Sequence, residues 1–304
     1  MLTIIKRGEI TWIKLDSPNA KEVADLSSQF SIHPLIAEEL ISPTIRPKVD
    51  VYKDTLYLIL HFPVFDTASQ TSVSKEIDFV IGKNFLLTAN FGQIEPLEEI
   101  LKQAQSKASF QEKNFKEHAG FLVFTILKEL YEFSLRQLDH IHVKVDISEE
   151  QIFNGNEEEM VKKISLIKRD ILDFCRIVYP HGAVLNSLEE CGENFFGNNF
   201  MPYLSVLTGD YMKVKNLAEG NKETIEALQQ TNESMLSTKT NKIMKTLTIL
   251  AFITFPLTLL SNIFSMNTRY TPIIGSIADF WVIVGGMLVA TLGMLFVFKK
   301  KKWL

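Results

Sequence analysis

Two cysteines, Cys175 and Cys191, are all that 304 residues contain, and neither belongs to a paired spacing such as CxxC. A disulfide framework and a zinc-thiolate centre are therefore excluded, and both are expected as reduced thiols in a cytosolic fold. There is no glycine-rich phosphate loop, no nucleophile motif and no clustered zinc ligand set, so neither an enzyme nor a bound cofactor is expected. The formal net charge is -4, and no basic patch interleaved with aromatics occurs, which removes nucleic acid as a partner. The N-terminal stretch MLTIIKRGEITWIKL alternates apolar and polar residues instead of carrying one apolar core, and reads as a first strand, not a signal peptide. Proline is missing between Pro202 and Pro256, so nothing in that interval forbids one continuous helix.

Long apolar runs are present, and only near the C-terminus. Thr246 to Phe264 and Phe280 to Phe298 contain no charged side chain. About 20 apolar residues at a rise of 1.5 Å match a hydrocarbon layer of roughly 30 Å, so both are expected to span a bilayer. Lys239, Lys242 and Lys245 precede the first run and Lys299 to Lys302 follow the second. Positive charge at both flanks places both termini on the cytoplasmic side of an inner (plasma) membrane.

The rest divides by periodicity. Residues 1–92 read as an α/β part: ITWIKL, TLYLILHFPVF, SKEIDFVIG and NFLLTANF are strand-like, with short helices over Pro18–Phe30 and Pro34–Leu40 and Ser17 as the cap of the first. Residues 93–200 read as helical, with a short helix near Glu95–Ser106, a long one over Glu112–Phe153, and a break at His181-Gly182. Residues 201–264 read as a stalk helix whose final part, from about 246, is the first span. An outer loop over 265–279, the second span over 280–298 and a basic tail over 299–304 complete the chain. A helix over Pro202–Phe264 would be roughly 90 Å long with one narrow apolar stripe, and such a helix needs neighbours, hence an oligomer.

Several segments carry a resemblance: HPLIAEEL, RPKVDVY, EIDFVIGKNFLLTAN, TNKIMKTLTILAFITFPLTLL, the Met266-Asn267 pair and the terminal KKKKWL. In this order they resemble the CorA family of divalent-cation transporters across essentially the whole chain. The resemblance implies an α+β cytoplasmic domain followed by a very long pore-lining helix and two C-terminal transmembrane helices. It implies a homopentamer in the lipid bilayer that admits a divalent cation, magnesium first and cobalt or nickel after it, driven by the membrane potential. Carried over by position, the pore face would comprise Asn241 at the inner end, Met244, Leu247, Ala251 and Phe255 as a hydrophobic gate, then Thr258 and Asn262. Ser265, Met266 and Asn267 would form the selectivity filter. Steps of three and four put Asn241 through Asn262 on one side of a helix, which the residues show independently.

The signature departs from the family pattern at three places: Ser265 stands where glycine is usual, Asn262 where glycine is common, and Arg269 where the loop is often acidic. A left-handed turn is expected at position 265, which a serine adopts at some cost. Regulatory metal binding, also implied by the resemblance, falls on Asp210 and Asp78. Asp139, His140, His142 and Asp146 invite a metal reading, but only His142 and Asp146 share a helix face, and a solvated helix is the expectation there. Two other functions stay open: a zinc or other transition-metal transporter of the ZntB-like branch, and a membrane scaffold or metal sensor that does not transport.

Overall fold

The computed structural model describes residues 2–266 and 278–301. The chain separates into two units, residues 1–229 and 230–304.

The first unit opens with a hairpin, β1 (Leu2–Arg7) and β2 (Ile10–Asp16), whose turn needs the positive φ of Gly8. Helix α1 (Ala20–Phe30) follows. Its cap is Asn19, not Ser17: the Asn19 side chain accepts from the Glu22 amide at 2.9 Å while the Glu22 carboxylate accepts from the Asn19 amide, a closed capping box. Ser17 instead takes a positive φ in the turn leaving β2. Helix α2 (Pro34–Glu39) starts on proline, where the missing N–H costs nothing, and leads to β3 (Lys48–Tyr52), β4 (Thr55–Asp66), β5 (Thr71–Ile81) and β6 (Phe85–Asn90).

The six strands form one sheet in the order β1-β2-β6-β5-β4-β3, antiparallel except for the parallel pair β2–β6. Strands β4 and β5 are buried on both faces, which explains why they read as near-continuous apolar runs. One face, with Tyr57, Ile59 and Val80, packs with Val23, Leu26, Ile36 and Leu40 of the α1–α2 region. Side chains alternate along a strand, so Phe62 lies on the other face, against Tyr131 and His181.

That second face is covered by helices. After α3 (Glu95–Ser106) comes a separate short helix α4 (Ala108–Asn114), and the long helix α5 runs Gly120–Phe153. The expected single helix from Glu112 is thus interrupted around Phe115, whose φ and ψ are not helical. Helix α6 (Glu157–Val178) begins with three glutamates that offset the positive end of its dipole, and α5 and α6 both pack on β4. At His181 the expected break is instead a start: α7 (His181–Phe196) begins there behind Pro180. Helix α8 (Met201–Phe264) begins on the expected proline turn, and its first part contributes Leu204, Leu207, Tyr211, Val214, Ala218, Ile225 and Leu228 to the buried residues of this unit.

The second unit contains the remainder of α8, which runs through Pro256, and α9 (Asp279–Lys300). Both helices are long and apolar enough to cross a membrane.

Candidate pore face and buried carboxylates

The residues from Asn241 to Asn262 lie in uninterrupted helix, so their angular positions follow from 3.6 residues per turn. Asn241, Met244, Leu247, Ala251, Phe255, Thr258 and Asn262 fall within an arc of about 120°. All seven are exposed in the single chain, whereas Ile249, Ile253, Pro256 and Leu257 on the other side are shielded at least in part. Phe255, at 73% exposure, and Met244, at 56%, are large apolar groups left mostly exposed among the described residues. The polar members sit toward the two ends of this face and the apolar ones between them.

Thr258 gives its hydroxyl hydrogen to the Thr254 carbonyl at 2.8 Å. Its oxygen lone pairs are thereby left as the group's outward character. Ser265 does not adopt the left-handed conformation expected of it; among described residues other than glycine, positive φ occurs at Ser17, Ser31, Lys53 and Gln70. Instead its amide donates to the Ser261 carbonyl at 3.0 Å and its hydroxyl to the Asn262 carbonyl at 3.0 Å. Two of the carbonyls left over at a helix C-terminus are satisfied this way, which a glycine could do only with its backbone. Met266 follows with its amide on the Ile263 carbonyl. Asn267, Arg269 and Pro272 lie outside the described residues, as do Lys302 and the end of the tail.

The two carboxylates assigned to metal regulation have different surroundings. Asp210 is nearly buried on α8 and pairs with Lys213 at 2.8 Å. Asp78 is wholly buried on β5, where Oδ2 accepts from the Tyr57 hydroxyl at 3.2 Å. Burial, and then the neighbouring Glu76 carboxylate, push the Asp78 carboxyl up to about 8. The Tyr57 phenol is raised for the same reasons, burial first and the Asp78 charge second. The two aspartates share no partner, and no group of three His, Cys, Asp or Glu side chains able to hold a metal occurs among the described residues.

His142 and Asp146 do face each other, at 3.7 Å, but His142 Nδ1 also lies 3.0 Å from the Asn221 side-chain oxygen on α8. It joins α5 to α8 and is not simply solvated, a role the single-helix spacing could not show. Two further groups escaped the reading of the sequence. His181 is fully buried, with Nε2 2.7 Å from the His61 carbonyl and Nδ1 3.1 Å from the Tyr131 hydroxyl. Asp170, also buried, accepts from both the amide and the hydroxyl of Ser72, at 2.7 and 2.8 Å. Cys175 and Cys191 are free thiols.

Comparison with known proteins bears on the whole chain. Residues 7–300 match a family model described as "CorA-like Mg2+ transporter protein". The cobalt/magnesium transport protein CorA of Thermotoga maritima is 25% identical over 97% of this chain and 83% of its own length. Among solved structures, the complete CorA magnesium transporter of Methanocaldococcus jannaschii superposes with a TM-score of 0.84 at 21% identity, over 99% of this chain and 93% of that one. The cytoplasmic domain of ZntB from Vibrio parahaemolyticus shares the fold at a TM-score of 0.58 and 12% identity, over 77% of this chain and 90% of its own.

Proposed function

The chain belongs to the CorA-like Mg2+ transporter family, a family of transporters and not of enzymes, and on that premise we propose that it conducts hydrated divalent cations, magnesium foremost, inward through a homopentamer driven by the membrane potential. The observation that carries this reading is the α8 face itself: seven exposed residues in one arc, polar toward both ends and apolar between, on a segment too apolar to be left in water. Copies arranged around that face bury Met244, Leu247, Ala251 and Phe255 toward a common axis, where an apolar constriction closes the path by dewetting.

Magnesium releases its water reluctantly and holds a near-octahedral shell. The polar rings of Thr258, Asn262 and Asn267 offer neutral oxygens that accept hydrogen bonds from that shell without replacing it. Because no residue from Thr246 to Phe264 is charged, the ion is not trapped on its way. Oxygen donors also suit magnesium better than zinc, which favours imidazole and thiolate; the face carries neither. The flanking lysines put both termini in the cytoplasm and the loop between the spans outside, in the inner membrane.

The test is uptake into proteoliposomes of the purified protein, with an inside-negative potential and magnesium, cobalt or zinc outside. Potential-dependent magnesium entry that Asn267→Ala abolishes, in a protein that still assembles, is the expected result. Zinc entry driven by a proton gradient would select the ZntB-like reading. No flux of any ion from an assembled oligomer would leave a scaffold or sensor.

A further inference from the structure

Strands β4 and β5 pair with Leu56 opposite Ile81, so the β3–β4 and β5–β6 turns emerge at the same end of the sheet. The junction of α1 and α2 meets them there, and the three segments enclose a cavity of about 560 Å³, the size of a small-molecule pocket. Its walls are rings. Tyr52 and His33 stack with centroids 4.6 Å apart and planes at 23°, and Phe30 lies 4.9 Å from Phe85. Tyr52, Phe30 and Phe85 rest against the core yet are only half-buried, which leaves part of each ring to the cavity. Gly82 keeps the space beside the Phe85 ring clear, because a Cβ there would collide with it. His33 Nδ1 accepts from the Leu35 amide at 3.3 Å, so Nε2 carries the hydrogen and is the donor this ring has to offer.

Charge at this cavity is not cancelled. Lys53 and Lys83 both line it and are exposed, and no ion pair among the described residues involves either. Asp54 is the single carboxylate in the lining, so two cations face one anion. Lys53 stands there against local preference. It opens the two-residue turn between the paired Tyr52 and Thr55 and takes a φ of 50°, where a hairpin turn with positive φ at its first residue favours glycine. A flat ring joined to a phosphate uses all of these features together. The ring lies against the aromatic wall, the phosphate meets the ammonium groups of Lys53 and Lys83, and Asp54 and Asn84 remain for hydroxyl or amino hydrogens. We propose that this end of the sheet binds an aromatic phosphate, a nucleotide being one form of that chemistry. A ring without the phosphate would leave both lysines idle, and phosphate without the ring would leave the aromatic wall wet. The site lies within the first unit and does not depend on which ion the protein transports.

Equilibrium dialysis of the full-length protein in zwitterionic lipid nanodiscs against adenosine 5′-monophosphate tests it, with adenosine, inorganic phosphate and phenyl phosphate as competitors. Saturable binding of the nucleotide is expected, with adenosine or phosphate alone competing about tenfold more weakly, since each makes only part of the contacts. Lys53→Gly removes one cation while supplying the residue the turn prefers. It should weaken nucleotide binding about tenfold without lowering the unfolding temperature. Lys53→Gly combined with Lys83→Ala should abolish binding. Phenyl phosphate competing as well as the nucleotide would support the ring-and-phosphate chemistry and give the ribose no part; a weaker phenyl phosphate would support it and select nucleotides. No saturable binding at millimolar nucleotide, unchanged affinity in the double variant, or adenosine competing as well as the nucleotide would overturn the proposal.

Discussion

His181 Nε2 donates to the main-chain carbonyl of His61 across 2.7 Å. Strand β3 stops at Lys48, opposite Ile59, and does not reach His61, so a helix side chain meets a carbonyl that no third strand covers. Since that oxygen can only accept, the ring is the Nε2–H tautomer and Nδ1 accepts from Tyr131. Burial holds the His181 imidazole down to about 4, against an ordinary value of 6.5.

Between pH 6.5 and about 4 the unfolded chain protonates this histidine and the folded chain does not. Its stabilising contribution is therefore intact above 6.5 and lost as pH falls, at up to about 1.4 kcal/mol per unit. Asp78 acts in the opposite sense. Its raised folded value makes its contribution complete below the ordinary 3.8 and gone by about 8. Thermal unfolding of Asp78→Asn should therefore lose stability on acidification through this window, and the double variant with His181→Gln should lose less. Equal slopes would remove His181 as the cause.

Asp170 should be more sensitive than its position on a helix suggests. Asp170→Ala strands the Ser72 amide and hydroxyl, and it removes the carboxylate that faces Lys144 at 3.5 Å. A loss of about 1–3 kcal/mol is expected from the unmet amide alone. Chemical denaturation of the variant measures it, and a change below half of that would mean Ser72 finds another acceptor.

Asn19→Ala removes a capping box and should cost about 1 kcal/mol. Ser17→Ala, at the position the sequence favoured as the cap, should leave α1 unchanged in exchange protection. The reverse ranking would contradict the assignment.

On the α8 face, Leu247→Ser should raise resting magnesium leak severalfold in proteoliposomes, because a hydroxyl ring wets a constriction that an isobutyl ring dries. An unchanged leak would place the gate elsewhere among Met244, Ala251 and Phe255.

Ser265→Ala keeps the backbone but loses the hydroxyl that satisfies the Asn262 carbonyl. Ser265→Gly loses it too. Both should reduce amide protection at the end of α8 while magnesium flux in Ser265→Gly is preserved or raised. Complete loss of flux in the glycine variant would show that the serine hydroxyl is itself required.

Much of this architecture is legible in the sequence because its signals are local. Strands β4 and β5 are continuous apolar runs, the exposed α8 face follows a helical spacing, and the two helices able to cross a membrane carry long uncharged stretches. What escaped depends on distant partners. Strand β3 is a half-buried edge strand with charged Lys48 and Asp50, and pairs only because β4 lies beside it. Asn19 and Ser17 are both good caps, and the choice fell to Glu22 three residues on. Position 265 was read from glycine's freedom, but the serine follows a different chemistry and closes the helix with its side chain. Asp78 is singled out in the sequence only through the resemblance, as a regulatory metal ligand, and its burial beside Tyr57 and Glu76 appears only in the fold. Asn267, on which the filter assignment rests, lies outside the described residues.

The bond from Thr258 to Thr254 has a consequence for polarity. A free hydroxyl can turn to greet either sign of charge, but this one has its only hydrogen committed to the backbone. Around the proposed pore axis, such oxygens would present lone pairs alone, a fixed rim of partial negative charge. A cation's hydration water finds acceptors there, whereas chloride finds no hydrogen to bind. The Thr258 rim of this uncharged helix would thereby favour cations over anions, and would do so at every pH, because nothing in it titrates.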